Sequence, residues 1–378
     1  MIERRAGVVS SILERRPGAT EISVSVDGRD EKALNYDFLT GSVDVGDRVL
    51  LNTTAVTKNL GTGGYHFVIA VNENKEEKAN KSGHIIKMRY TPFQINVLSI
   101  EEDSHPENAV YRSVSELGGT PVVAGSLHSM IAPIAAAVKY TAGFGIKVAY
   151  LMTDGAALPI WLSKLVHGLK NKKLIDFTIT CGHAFGGDYE AVNVYSGLLC
   201  ARVKGADVII ASMGPGIVGT STEYGNTALE QGEIINAVNV LGGYAIAIPR
   251  ISFADSRSRH YGLSHHTRTA LGKVALSSCT VVLPFLCSSK KTIIDQQLNE
   301  SGILKKHKIV ELDTKMLEKV MDYYKISVTT MGRSIKEDPD FFHTSFASGI
   351  YAGRLLKSGF HKTSDCSGEK TAASQNMH

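Results

Sequence analysis

The fold class is decided by the stretch Ala206-Asp207-Val208-Ile209-Ile210-Ala211 and by the glycine-rich loop after it, Met213-Gly214-Pro215-Gly216-Ile217-Val218-Gly219. A short β-branched run that ends in glycines, with Thr220, Ser221 and Thr222 before the next helical pattern, is typical of a buried strand that turns into a helix. Such a turn offers backbone N–H groups to an anion or a polar ligand. The alternative is a packing turn that binds nothing.

Apolar runs of the same kind alternate with helical patterns along the rest of the chain, in about seven units. The predicted strands cover 121–125, 147–152, 176–181, 208–211, 245–251, 281–286 and 308–312. Strands buried on both faces and joined by helices predict a mostly parallel, doubly wound (Rossmann-like) α/β sheet. A closed eight-stranded barrel needs one more unit, and the helical pattern over 345–356 supplies no strand, so an open sheet is favoured.

The first hundred residues follow a different pattern, with short alternating strands predicted at 7–13, 21–26, 47–51 and 65–71. Turn-forming residues separate them, which predicts a small all-β barrel or sandwich. The predicted organisation is therefore an all-β domain over 1–103, an α/β domain over 104–356 and a disordered polar tail over 357–378.

Composition excludes several classes of protein. Hydrophobic residues make up 43% of the chain and charged residues 21%, as in ordinary globular proteins, and no apolar run approaches the ~20 residues that cross a bilayer. The net charge of +4 does not by itself indicate a nucleic-acid binder. Five cysteines without CxxC spacing favour a reducing compartment, and no signal-peptide pattern opens the chain, so we expect a cytoplasmic protein.

Three residues at predicted strand ends are the catalytic candidates. His183, flanked by glycines, is the best general acid or base, and Asp188 is placed to orient it. Asp154 ends another strand. For both aspartates the alternative is a helix N-cap, with Asp188 capping a helix that begins near Tyr189.

The ligand-binding candidates lie at the same predicted edge of the sheet. They comprise the loop residues Gly214, Gly216, Gly219, Thr220, Ser221 and Thr222, together with His128, for which a satisfied polar residue is the alternative. The match of this loop to GxGxxG is only formal, since Pro215 removes a donor, and the lysine of a Walker A motif is missing.

A second group of ligand candidates occupies the connection over 255–268, which is rich in anion donors. Its members are Arg257, Arg259, His260, His265, His266 and Arg268. Arginine forks favour phosphate or carboxylate; the alternative is a solvated loop with Ser264 as a helix cap. Histidines and aspartates are numerous here, but no HxH, HExxH or CxxC spacing occurs, so no metal site is predicted and no cofactor is assigned.

Three segments carry a resemblance to a known family: 84–92, 181–190 and 213–216, in this order and over this length. They resemble a bacterial family, of the Firmicutes and Actinobacteria type, that is catalogued as a domain of unknown function. The resemblance covers nearly the whole chain except the polar tail. It implies a cytosolic bacterial protein without an established activity, and it transfers no catalytic residues.

The leading functional hypothesis is that the α/β domain binds a small anionic or phosphorylated ligand at the carboxyl ends of its strands. If the protein is an enzyme, hydrolytic or transfer chemistry fits these residues better than hydride transfer. The alternative is a regulatory module whose N-terminal β domain binds nucleic acid or protein through Arg4, Arg5, Arg15, Arg16, Lys87 and Arg89. A scaffold with an empty site and a homo-oligomer also stay open.

Overall fold

A computed structural model describes residues 2–61, 63–72 and 82–358 of the chain. It confirms the predicted fold class, because a small closed β-barrel precedes a parallel α/β sheet in the described residues. Among these residues, no helix combines the length and the apolar character needed to cross a bilayer. From residue 359 onward the predicted tail lies outside the described residues.

The N-terminal strands close into a barrel in the order β1-β2-β3-β5-β4. Its elements are β1 (Arg4–Arg16), β2 (Ala19–Val26), β3 (Arg29–Asn35), α1 (Asp37–Thr40), β4 (Arg48–Asn52), α2 (Thr54–Thr57) and β5 (His66–Val71). Inward side chains such as Ile22, Val24 and Leu51 are fully buried in its core. The sequence pattern did not predict β3, because the first half of this strand is charged and faces solvent.

A short hairpin and a helix connect the barrel to the sheet. They are β6 (Ile85–Lys87), β7 (Ile95–Val97) and α3 (Asn108–Arg112). The buried Lys87 ammonium donates to the carbonyl oxygens of Thr180 and Ala184 and lies 2.6 Å from the Glu190 carboxylate. The hairpin is thereby held against the α/β sheet.

The described residues of the α/β domain form one sheet of eight parallel strands, in the order β11-β10-β9-β12-β8-β13-β16-β17. The strands of this sheet and of a small hairpin, β14-β15, are β8 (Pro121–Ala124), β9 (Val148–Thr153), β10 (Phe177–Thr180), β11 (Tyr189–Glu190), β12 (Val208–Met213), β13 (Tyr244–Ala247), β14 (Ile251–Ser252), β15 (Gly262–Leu263), β16 (Thr280–Pro284) and β17 (Lys308–Leu312). The sheet is open, as predicted.

Helices cover both faces of the sheet and divide its core into two layers. One layer is packed by α4 (Ile131–Ala142), α5 (Lys164–Asn171), α11 (Leu317–Tyr323) and α12 (Pro339–Lys357). The other is packed by α6 (Val194–Val203), α7 (Glu230–Val240), α9 (Ser288–Glu300) and α10 (Ile303–Lys306), and the short helix α8 (His265–Thr269) lies between β15 and β16 in the chain. Alternating strand residues point to opposite layers, which explains why the strands read as continuous apolar runs.

The prediction of a helix that begins near Tyr189 is wrong. Tyr189 and Glu190 form the edge strand β11, which pairs with Ile179 and Thr180. The helix begins only at Val194, where the Asn193 side chain accepts from the Ser196 N–H and the Ser196 hydroxyl accepts in return. This capping box fixes the start of α6, so Asp188 is not its cap.

The barrel packs on the α/β domain around Trp161, the only tryptophan of the chain. Its carbonyl oxygen accepts from Arg16 Nε at 3.1 Å, and its ring lies against Phe38, with 5.6 Å between centroids. Arg16 forms a buried ion pair with Glu21, whose carboxylate also lies 2.7 Å from Lys164 Nζ on α5. Apolar and charged contacts therefore join the two parts.

Candidate functional site

The candidate site lies where the winding of the sheet reverses. Strands β8 and β12 are neighbours, but the helices that follow them, α4 and α7, pack on opposite faces of the sheet. A crevice therefore opens beyond the carboxyl ends of these two strands, at the position where doubly wound sheets bind their ligands. Leu127 and His128 follow β8 there, and Gly214 to Gly219 follow β12.

A cavity of about 1050 Å³ occupies this crevice. Its walls come from the two strand ends, from α5 and from the segment after α11, which contributes 325–331; Ala55, Leu60 and Gly61 of the barrel region lie at one side. Most lining residues are apolar, among them Leu165, Ile217 and Val328. The volume and the apolar walls are those of a small-molecule site.

The charged side chains among the described lining residues of this cavity are all positive. Lys164, Lys172 and Lys325 line it, and no Asp or Glu is among its described lining residues. Lys164 is already neutralised by Glu14 and Glu21, at 2.8 and 2.7 Å. For Lys172 and Lys325, the described part of the chain provides no carboxylate partner. Hydroxyl groups of Ser129, Ser327, Thr329 and Thr330 add hydrogen-bonding capacity.

A second cavity, of about 510 Å³, adjoins the first and extends between the barrel and the sheet. Both are lined by His128, Lys164, Leu165 and the Pro215-Gly216 turn. The barrel contributes Arg16, Glu21, Leu34, Tyr65 and Phe67 to the second cavity. The crevice is thus bounded by both parts of the chain.

His128 lies at the junction of the two cavities. Its Nε2 is 2.6 Å from the Ser163 hydroxyl oxygen, and its Nδ1 is 3.3 Å from the Tyr150 hydroxyl. Burial lowers the pKa of His128 to about 4, so the ring is neutral near pH 7 and one nitrogen is free to accept the Ser163 proton. Ser163 also caps α5 by accepting from the Val166 N–H. Both ring nitrogens have partners, which fits the satisfied-residue interpretation as well as a ligand role.

The structure brings His183 and Asp154 together. The Asp154 carboxylate accepts from the His183 backbone N–H at 2.8 Å. The His183 ring faces the β6–β7 connection, where Nδ1 accepts from the Met88 N–H at 3.0 Å and Nε2 lies 3.5 Å from the Arg89 guanidinium. The cap interpretation of Asp154 is wrong, because Ser163 caps the next α-helix, α5.

Asp188 has different partners. Its carboxylate accepts from the backbone N–H and the hydroxyl of Thr178 and pairs with Lys170 at 2.5 Å. Among the described residues, no hydrogen bond or ion pair joins Asp188 to His183. Its contacts fasten the end of α5 to β10.

Glu230, at the start of α7, is a residue that the sequence reasoning missed. Its carboxylate accepts from the Thr153 hydroxyl at 2.6 Å and lies beside Gly155. Burial raises the pKa of Glu230 to about 7, with a smaller contribution from Asp154. In the sequence it is simply an acidic residue in the first turn of a helix, where such residues are common.

The glycine-rich loop divides between two environments. Gly216 and Gly219 line the large cavity, and Gly214 packs against the Ala157 carbonyl. Thr220, Ser221 and Thr222 are exposed. The loop closes on itself there, because the Thr220 N–H donates to the Gly225 carbonyl and the hydroxyls of Thr220 and Thr222 lie 2.8 Å apart. Residues 215–219 of the loop therefore line the cavity, and Gly214 and 220–222 are not among its described lining residues.

The connection over 255–268 is largely buried, so the solvated-loop interpretation is wrong, although Ser264 does cap α8. Arg257 forms a two-pronged pair with Asp255, at 2.9 and 2.7 Å, and Arg268 donates to the Leu263 carbonyl. Arg259 has a buried Nε without a partner in the described residues. Of these three arginines, Arg259 is the one with a buried side-chain nitrogen that has no partner among the described residues.

The same connection brings His260, His265 and His266 into one cluster, in which one ring nitrogen of each lies within 4.8 Å of the others. Their spacing in the sequence, at i, i+5 and i+6, matches none of the metal patterns considered. The connection between β14 and α8, which contains the 3₁₀ turn Ser258–His260 and strand β15, brings His260 beside the other two.

Most of the basic residues that suggested nucleic-acid binding have acidic partners. Arg5 pairs with Asp27, and Arg15 with Asp44 at 2.7 Å. Arg16 and Lys87 are buried in ion pairs with Glu21 and Glu190. These residues therefore contribute little unbalanced positive charge to the surface.

The comparisons place this chain in a known family. The family described as "Protein of unknown function (DUF3866)" matches residues 32–349, so the chain belongs to that family. No curated protein matches the chain.

Proposed function

We propose that this chain, as a member of the DUF3866 family, binds a small anionic ligand in the cavity beyond β8 and β12. The observation that carries the proposal is the charge of that cavity, because no Asp or Glu is among its described lining residues. Lys164 is already paired with Glu14 and Glu21, so the unbalanced positive charge comes from Lys172 and Lys325. Lys172 and Lys325 are exposed and carry no described carboxylate partner, so their ammonium groups are free to form charge-assisted hydrogen bonds with an anion.

The walls indicate what the rest of the ligand is like. Apart from the lysines and hydroxyls, the cavity is lined mainly by aliphatic side chains and by the Pro215-Gly216 turn. A small inorganic anion alone would leave this apolar surface in contact with water. A ligand with a phosphate or carboxylate at one end and an apolar or planar body therefore fits best.

The anionic end belongs near Lys172 and Lys325. Helix α4 also begins beside the cavity, directly after the lining residues His128 and Ser129. The positive end of its dipole favours the same sign of ligand charge. The two lysines and the start of α4 come from separate parts of the chain, and all of them favour an anion in the same cavity.

Enzymatic activity stays a prediction, with hydrolysis or group transfer as the expected class. In the adjoining second cavity, the pair that suits such chemistry is Ser163 and His128, whose 2.6 Å contact lets a neutral imidazole accept the hydroxyl proton. The general acid/base role expected for His183 also stays a prediction. The regulatory alternative stays open, but the ion pairs of Arg5, Arg15 and Arg16 give it no added support.

The test is a thermal-shift screen of phosphorylated and carboxylated metabolites, followed by equilibrium binding of the best probe. We expect the double variant Lys172→Gln, Lys325→Gln to weaken binding by about tenfold or more, since the loss of ~1.4 kcal/mol corresponds to tenfold. The matched control, Lys305→Gln with Lys319→Gln, removes the same charge from exposed helix positions outside the cavity.

Equal binding by the two double variants, or no stabilisation of the native chain by any anion, would contradict the proposal. Binding at low salt to single- or double-stranded nucleic acid, lost steeply as salt rises, would instead favour the regulatory alternative.

A further inference from the structure

The cluster formed by His260, His265 and His266 has the arrangement of a metal site. His260 ends a short 3₁₀ turn, and the other two lie in the first turn of α8. Ring centroids are separated by 5.0, 4.9 and 4.3 Å. Since one nitrogen of each ring lies within 4.8 Å of the others, small side-chain rotations bring all three to one ion at ~2.0–2.1 Å.

Ring nitrogens of His265 and His266 without hydrogen-bond partners indicate that a ligand belongs at this position. His266 is 4% exposed, yet neither of its ring nitrogens has a hydrogen-bond partner in the described part of the chain, and Nε2 of His265 lacks one as well. A neutral imidazole carries one donor and one acceptor, and burying both without partners is unfavourable. A bound ion would satisfy one nitrogen of each ring.

The third histidine is already oriented. Nδ1 of His260 lies 2.8 Å from the Ser264 hydroxyl, which leaves Nε2 for a ligand. Metal-binding histidines are commonly held in this way by a hydrogen bond to the other ring nitrogen. Ser264 also caps α8, so one side chain fixes both the start of this helix and the orientation of the His260 ring.

The cluster lies among positively charged side chains. Burial is the main cause that lowers the pKa of His260 and of His266 to about 3, and Arg250 and Arg257 contribute to both. The nearby arginines also oppose a cation, but Asp255 lies 3.2 Å from Arg250 and 2.7 Å from Arg257 and offsets part of their charge. The unpartnered Nε of Arg259 favours an anion beside the ion.

The glycine-rich loop covers the cluster closely. A Cβ at Gly219 would lie 2.8 Å from Nε2 of His266, so a larger residue at this position would require the His266 ring to move. Asn226, which pairs with Gly219 across an isolated bridge, has a buried Oδ1 without a described partner. Asn226 Oδ1 and Arg259 Nε are therefore two buried polar atoms near the cluster that have no described hydrogen-bond partner.

We propose that His260, His265 and His266 bind one first-row transition-metal ion of the zinc class, with the remaining coordination position open to water or an anion. Three imidazoles select ions such as Zn²⁺, Co²⁺, Ni²⁺ or Cu²⁺ over Mg²⁺ and Ca²⁺, which prefer oxygen. The inference is independent of the anion cavity, although Gly219 contributes to both places.

The experiment titrates the chelator-treated full chain with Zn²⁺ by calorimetry and with Co²⁺ by visible absorption. We expect one ion per chain, and a loss of affinity of at least about tenfold in His265→Ala and in His266→Ala. The control is His167→Ala, which removes an exposed histidine bonded to Asn171 outside the cluster; it should bind as the native chain does.

Far-UV circular dichroism checks that each variant is folded. A second measurement uses the native chain, so it does not depend on the folding of any variant. In the native chain labelled with ¹⁵N-histidine, diamagnetic Zn²⁺ should shift the side-chain signals of three histidines at one equivalent. The proposal is overturned if the native chain binds no ion stoichiometrically, if the cluster variants bind as tightly as His167→Ala, or if the shifted signals belong to other histidines.

Discussion

At the scale of the residue, Glu230 shows how burial changes a carboxyl group. Its pKa is raised from 4.5 to about 7, mainly by burial and also by Asp154. Below the ordinary value the group is neutral in both the folded and the unfolded chain. Above it, the folded chain must either bind a proton or carry a buried charge, so Glu230 costs stability increasingly as the pH rises toward 7 and beyond.

We therefore expect Glu230→Gln to stabilise the fold at pH 8 by about 3 kcal/mol, and to have little effect at pH 4, since one pKa unit corresponds to ~1.4 kcal/mol. Urea unfolding at the two pH values measures the difference. Glu233→Gln is the control, because Glu233 is exposed in the same turn of α7. An equal gain in both variants would show that the burial of Glu230 is not the cause of the gain.

At the scale of the element, the packing of α12 on α4 depends on close approach. A Cβ at Gly349 would lie 2.5 Å from the Ile134 carbonyl oxygen and 2.7 Å from Ala137 Cβ. Glycine lowers the intrinsic stability of a helix by ~1 kcal/mol relative to alanine. Its presence in the middle of a long helix is thus explained by contact with the neighbouring helix.

Gly349→Ala should destabilise the protein by about 1–3 kcal/mol, because overpacking outweighs the gain in helix propensity. Gly168→Ala in α5 has nothing within 4 Å of the new methyl group, so it should stabilise by ~0.5–1 kcal/mol. Thermal and urea unfolding of the two variants compare the same chemical change in two helices. A gain in stability for both would show that α12 and α4 are packed less closely than the structure indicates.

At the scale of the whole molecule, a buried ion pair of the barrel, Arg16–Glu21, contacts the α/β domain through Lys164 and the Trp161 carbonyl oxygen. The Arg16 and Glu21 side chains are 3% and 5% exposed. Burial alone would raise the pKa of Glu21, but hydrogen bonds from Lys164, Tyr65 and Arg16 hold it below its ordinary value of 4.5. The stabilisation from Glu21 is therefore present above that value and is lost as the pH falls through the lower folded-state pKa.

Glu21→Gln leaves Arg16 buried without its carboxylate, so we expect a loss of about 3 kcal/mol at pH 7 and a smaller loss in acid. Fluorescence of the single tryptophan, Trp161, reports on this junction, and circular dichroism reports on the whole fold. Glu14→Gln, which removes a 45% exposed partner of Lys164, should cost less than ~1 kcal/mol. Similar losses in the two variants would argue against a structural role of the buried pair.

The element pattern was largely predictable from local sequence, and the exceptions have physical causes. Apolar runs such as 208–211 indicated strands buried on both faces, and the fold class follows from their alternation with helices. Strand β11 was missed because two residues carry no periodicity. Strand β3 was missed because Arg29, Asp30 and Lys32 place charge on its exposed side.

The candidate site was predictable only in part. The strand-end rule located His128 and the glycine-rich loop, and both line the cavity. Lys172 and Lys325 were not found, because each is an ordinary surface-type lysine in the sequence and 153 positions separate them. The three clustered histidines were recognised as a dense group, but their spacing gave no indication that their ring nitrogens converge.

By itself the sequence determined the layers of this protein, because periodic burial is a local property that each strand and helix carries in its own residues. Tertiary structure alone decided which charged and polar groups remain available for a ligand. Lys164 is neutralised by Glu21, which is 143 positions away, and Arg257 by Asp255, whereas Lys172, Lys325 and Arg259 keep donors that no described carboxylate satisfies. Ion pairing and convergence depend on distances in space, and these are set only when the whole chain packs.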